Sequence, residues 1–197
     1  MRKIIITLIA LIVVIAVIGL VVALSSNTAR PVPNVALNQT LSASEQFGGV
    51  ITVAYPDGWA AEGQDTGVIL SPDANILSAL KNGDENNGPV LFLQVFPADQ
   101  LSLFTGKSRP TTQELLSSLM DLSAEHEDTV YGELENYRLG DKEGARVKVS
   151  DAASEGWLIA IPVNDAAYLI ATVVSPTGTL SALENSVEAI IYQVQYQ

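Results

Sequence analysis

Residues 131–174 read YGELENYRLGDKEGARVKVSDAASEGWLIAIPVNDAAYLIATVV, and this stretch decides the fold. It divides into four strand-like runs, Tyr131–Leu139, Ala145–Ser150, Trp157–Val163 and Ala167–Val174. Turn-forming residues separate the outer pairs: Gly140-Asp141-Lys142-Glu143-Gly144 between the first two and Asn164-Asp165 between the last two. Runs joined in this way are successive hairpins, and successive hairpins build an antiparallel sheet. If Gly140 pairs with Glu143, Glu135 lies opposite Lys148 and Tyr137 opposite Arg146, each pair worth about 0.2–1 kcal/mol. The last two runs are apolar on both faces, which places them centrally in a sheet covered on both sides.

Working outward, the segment after the fourth strand carries Leu180, Val187, Ile190 and Ile191 at helical spacing, with Leu183 beside them. Ser181 and Glu184 are spaced for a capping box there, although Thr177 offers an earlier start. Upstream, TTQELLSSLMDLSAEH is the clearest helix. Thr111 and Glu114 form a capping box behind Pro110, and Leu115, Leu116, Leu119, Met120 and Leu122 make one apolar stripe. Further upstream, Pro89–Phe96 is apolar on both faces and reads as another central strand. Gly67–Leu70 and Ile51–Tyr55 are shorter strands, closed by Ser71-Pro72-Asp73 and Pro56-Asp57-Gly58, and Asn82–Gly88 is a turn-forming loop. The expected fold is α+β: a mainly antiparallel central sheet with helices on both faces, an α/β/α sandwich. About 150 residues bury roughly two-thirds of their unfolded surface, enough to fold without staples.

Ile4–Leu24 holds 21 residues without a charge. As a helix it spans about 31 Å, the hydrocarbon thickness of a bilayer. Arg2 and Lys3 precede it, and the next base is Arg30, so the positive-inside bias puts the N-terminus in the cytoplasm. The expected organisation is a cytoplasmic N-terminus at 1–3, a transmembrane anchor or uncleaved signal at 4–24, a flexible linker at 25–45 containing Pro31 and Pro33, and a domain at 46–197. A cleavable signal peptide is the alternative, with Val21-Val22-Ala23 as its site; its apolar region is usually shorter than this one. Past the anchor, eight bases face 22 acids, a net charge of −14. Phosphates would be repelled, which argues against nucleic acid as a partner.

Tyr55-Pro56-Asp57-Gly58-Trp59, after a strand beginning near Phe47, resembles the N-terminal signature of PsbP-like domains. The Pro89–Phe96 strand, the capped helix at 111–126, the Gly140–Val149 hairpin, two further strands and a terminal helix follow the same order, so the resemblance covers roughly residues 45–197. It implies an α/β/α sandwich around an antiparallel sheet, in a family that includes extrinsic photosystem II subunits, a nuclear Ran-binding relative and bacterial exported proteins. Its members mostly act by binding other proteins. The chain departs from the photosynthetic members in having its own apolar leader and one histidine, His126. Export argues against the Ran-binding role.

Catalytic and metal chemistry finds little footing. Without cysteine there is no disulfide, thiolate nucleophile or zinc finger. Thr105-Gly106-Lys107-Ser108 looks like the end of a phosphate loop, but Leu101 stands where the first glycine belongs, so a surface turn is the better reading. Asn82, Asp84 and Asn86 are spaced like calcium-loop ligands, with Asn87 and Leu93 where glycine and glutamate are needed. Glu125, His126, Glu127 and Asp128 cannot all converge from one helix end. No Gly-x-Ser-x-Gly elbow occurs. Trp59 and Trp157 read as core residues. Leu101-Ser102-Leu103-Phe104 reads as a loop cluster under the sheet edge, with a partner-docking patch as the alternative. The sequence therefore assigns no catalytic, cofactor-binding or metal residues and no cofactor. It points to a membrane-tethered, extracytoplasmic, non-catalytic interaction module with an unidentified protein partner. A domain binding a small molecule or divalent cation is the alternative, and an enzyme of unknown class the second.

Overall fold

The computed structural model describes residues 29–45, 48–82, 88–123 and 129–197. The 4–24 segment, Asp84, Glu85 and the Glu125–Asp128 cluster with His126 lie outside the described residues. Among the described residues no helix is long and apolar enough to cross a membrane. The elements run β1 (Gln39–Ser44), β2 (Val50–Tyr55), β3 (Ala60–Gln64), β4 (Gly67–Ser71), α1 (Ala74–Asn82), β5 (Val90–Pro97), α2 (Ala98–Thr105), α3 (Thr112–Ser123), β6 (Val130–Leu139), β7 (Lys142–Ser150), β8 (Ser154–Asn164), β9 (Ala167–Pro176), α4 (Leu180–Gln193) and β10 (Gln195–Tyr196).

Seven strands form one antiparallel sheet in the order β3-β4-β5-β9-β8-β7-β6. The three runs expected to be central, β5, β9 and β8, lie side by side in its middle. One face carries Leu91, Leu93, Tyr137, Ile159, Leu169 and Val173 and packs on Val187, Ile190 and Ile191 of α4. The other carries Ala145, Val147, Ala160 and Ile170 under Leu115 and Leu116 of α3 and Leu101 of α2. Beyond β5, Ile69 and Val90 pack under Leu77 of α1. Helices thus cover both faces, as a sheet apolar on both sides requires.

Four expectations need correction. First, residues 25–45 are not a flexible linker over their described part: 39–44 form β1, paired along its length with β2. Val32, Leu37 and Leu41 pack on the core, so the prolines shape a docked segment, not a loose one. Second, β1 and β2 join β10 in a separate three-stranded sheet that shares the α4 side of the core. Third, the β6–β7 register is displaced. The turn is the two residues Gly140-Asp141, so Glu135 faces Arg146 and Tyr137 faces Gly144. Gly140, at φ 60°, permits the tight turn whose twist suits the strands. Fourth, Ser181 and Glu184 do not form a capping box. Helix α4 starts at Leu180 after Thr179, and Glu155 Oε1 of β8 accepts from the Gly178 N–H at 2.8 Å and the Leu180 N–H at 3.4 Å. A cap from another element leaves no local sequence signature.

A candidate binding groove

The capping box on α3 forms as its sequence requires. The Thr111 N–H donates to Glu114 Oε2 at 2.9 Å and the Glu114 N–H to Thr111 Oγ1 at 3.2 Å, while Lys107 pairs with the same glutamate. Pinned there, α3 buries Leu115 and Leu116 completely, half-buries Leu119 and Met120, and leaves Leu122 58% exposed. The stripe outruns its cover because the helix shields β7 and β8 toward the β6 edge of the sheet, whereas α1 shields β4 and β5 on the far side. Between them a groove of about 500 Å³ lies open to the sheet.

Its floor is apolar. Leu158 and Gly156 of β8, Ile170, Thr172 and Val174 of β9, Gln94 and Phe96 of β5 and Val149 of β7 line it, with Leu119 and Leu122 as one wall. A Cβ on Gly156 would stand 1.9 Å from the Val173 carbonyl oxygen, so close approach of β8 to β9 requires glycine here. Thr129, Ser150, Asp151, Ser154 and Glu155 rim the mouth, and among the described residues no lysine or arginine lines the groove.

The rim groups serve the fold. The Asp151 carboxylate accepts from Ser154 Oγ at 2.6 Å and from the Ala153 and Ser154 N–H groups at 2.7 Å each, which holds it below the usual aspartate range. Glu155 is held low by its Lys148 partner at 2.9 Å and by the α4 amides that it caps. Ser154 therefore faces a solvated, fully ionised carboxylate, a weak base, and gains no activation as a nucleophile. The arrangement suits holding an apolar group, not bond breaking.

On the opposite face lies a charged network. Arg146, 7% exposed, donates to Glu135 at 3.1 Å and Glu184 at 3.5 Å and stacks over the Trp157 ring, 4.2 Å from its centroid. Arg30 reaches Glu184 at 2.6 Å and Glu188 at 3.1 Å, and the Tyr137 hydroxyl donates to Glu188 at 3.3 Å. Burial pushes the Tyr137 phenol far above its usual range. The two arginines bridge the three carboxylates and form a structural clasp.

The other sequence candidates fall into place individually. Thr105-Gly106 ends α2: the Gly106 N–H donates to Ser102 O at 2.9 Å and Thr105 Oγ1 to Leu101 O at 3.0 Å. A helix C-terminus presents carbonyl oxygens and repels phosphate. Leu101 and Leu103 sit on this helix, not in a loop; Leu101 is buried and Leu103 is 78% exposed. Trp59 and Trp157 both pack against the main core. Among the described residues no group of three or more carboxylates or histidines could hold a metal. Sequence reasoning missed the groove itself. The one available signal was a two-sided apolar sheet with too little helix to cover it.

No family model matches the chain, and no curated protein matches it. Among solved structures, cyanobacterial PsbP from Synechocystis sp. PCC 6803 superposes with a TM-score of 0.51 at 10% identity, over 83% of this chain and 96% of that one. The chain has a PsbP-like fold. A Bacteroides thetaiotaomicron protein aligns over 75% of this chain and 45% of its own, with a TM-score of 0.37 and 9% identity, too weak a likeness to carry an argument. The PsbP-like fold agrees with the element order read from residues 45–197, and fold alone assigns no activity.

Proposed function

We propose that this chain is a non-catalytic accessory domain, tethered to a membrane through residues 4–24 and held outside the cytoplasm, whose groove receives a short apolar segment of a partner protein. The observation that carries this reading is the groove: about 500 Å³, apolar in its floor, with Asp151, Ser154 and Glu155 of its rim already engaged in the fold. A concavity of that size takes several side chains. Its charge selects among occupants. Asp151 stands at the mouth, no base lines it among the described residues, and the whole chain carries −12, so an apolar segment flanked by lysine or arginine fits and an acidic one is repelled. Membrane attachment raises the effective concentration of both partners, so a weak site suffices.

The test is titration of the protein with a synthetic leucine–lysine amphipathic peptide, followed by amide chemical shifts. Shifts at Leu158, Thr172 and Val174, loss of binding in Thr172→Trp, and none with the leucine–glutamate counterpart support the reading. Equal response to both peptides, or response only to an uncharged small apolar compound, overturns it; the latter outcome favours a small-molecule site. Flotation of the full chain with membranes after alkaline extraction checks the tether separately.

A further inference from the structure

The groove opens at one end of the sheet, where β7 gives way to β8 and where Val149, Asp151, Glu155 and Val174 lie. The chain leading into the domain arrives at the other end. The Arg30 N–H donates to Arg138 O at 3.0 Å, the Gly140 N–H donates to Arg30 O at 2.9 Å, and Arg30 bridges Leu139 in parallel at the β6–β7 turn. Its guanidinium is then held by Glu184 and Glu188 of α4. Glu188 is 6% exposed, so one of the carboxylates that hold Arg30 is set in the core. Along β7, Lys142 beside the clamp and Ser150 beside the groove are eight residues apart, about 26 Å of strand.

We propose that Arg30 clamps the leader to the pole opposite the groove, so that the membrane-bound protein presents the groove away from the lipid. This rests on the tether reading above. Six residue steps separate Leu24 from Arg30, at most about 21 Å fully extended. That is shorter than the distance from clamp to groove, so the domain cannot stand with its groove end down on the headgroups while the clamp is closed. With the clamp end toward the lipid, the groove meets a segment of a partner standing in water. Docking from Arg30 onward leaves five residues of sequence, 25–29, between the apolar segment and the clamp, in place of the 21 expected from 25–45.

The chain lacks cysteine, so single labels are clean. Full-length Asp141→Cys and Ala152→Cys, each carrying a fluorophore, are reconstituted into phosphatidylcholine vesicles with and without headgroup-nitroxide lipid. Several-fold stronger quenching at position 141 than at 152 is expected, with the contrast shrinking in Arg30→Ala and in Glu188→Gln and persisting in Arg30→Lys. Equal quenching at both positions in vesicle-bound protein overturns the clamp and leaves the tether standing. An unchanged contrast in both Arg30→Ala and Glu188→Gln overturns the role given to Arg30. Protein that fails to float with vesicles overturns the tether reading itself.

Discussion

Glu45 shows how one residue can set a pH response. It is 6% exposed, and neither carboxyl oxygen has a hydrogen-bond partner among the described residues. Burial raises its pKa from 4.5 to about 7. The neutral acid is the form that fits. Between about pH 4.5 and 7 the folded state keeps a proton that the unfolded chain releases, so stability falls as pH rises through this window and levels off above it. Urea denaturation across that range should show a loss of about 1–2 kcal/mol after allowance for solvent screening. Glu45→Gln should flatten the profile. Gly156 makes a different demand, for space. Gly156→Ala drives a methyl into the Val173 carbonyl and should cost about 2–4 kcal/mol in chemical denaturation, with amide shifts centred on β8 and β9.

Among the elements, α3 and α4 begin in contrasting ways. The start of α3 is written in its own residues, because Thr111 and Glu114 satisfy each other across one turn. Thr111→Ala should lower stability by about 1 kcal/mol, read from the urea midpoint. It should also loosen the wall of the groove, seen as faster amide exchange at Leu119 and Leu122. The start of α4 is written elsewhere, in Glu155 of β8, and its local Ser181–Glu184 pattern goes unused because Glu184 is drawn to Arg30 and Arg146. Helix α1 lies between these cases. Asp73 accepts from the Asn75 N–H at 2.9 Å, so a cap was present in a tripeptide that also reads as a turn. Helix α2 has no side-chain cap and follows Pro97, and its eight residues gave too short a period to separate helix from loop.

For the molecule as a whole, the docked leader matters most. Replacing residues 29–45 with a glycine–serine stretch of equal length would be harmless if they were a linker. With β1 paired to β2, and Val32, Leu37 and Leu41 packed on the core, the replacement should instead remove several kcal/mol and lower the thermal midpoint markedly. It should also expose the β2 edge and promote association, measurable by light scattering. An unchanged melting curve would show that the three-stranded sheet contributes nothing to stability.

The sequence by itself determined the antiparallel sheet, the central position of β5, β8 and β9, the α3 cap and the acidic charge. These follow from side-chain period, turn residues and composition, all local properties of the chain. The PsbP-like order of elements was legible for the same reason. Only the tertiary structure decided that β1 leaves the leader to pair with β2, that Glu155 caps a helix 25 residues away, and that the α3 stripe runs past its cover to leave a groove. Each of these depends on where two distant segments meet. No window of local sequence carries that information, because the partner that satisfies an amide or covers a leucine is chosen by packing.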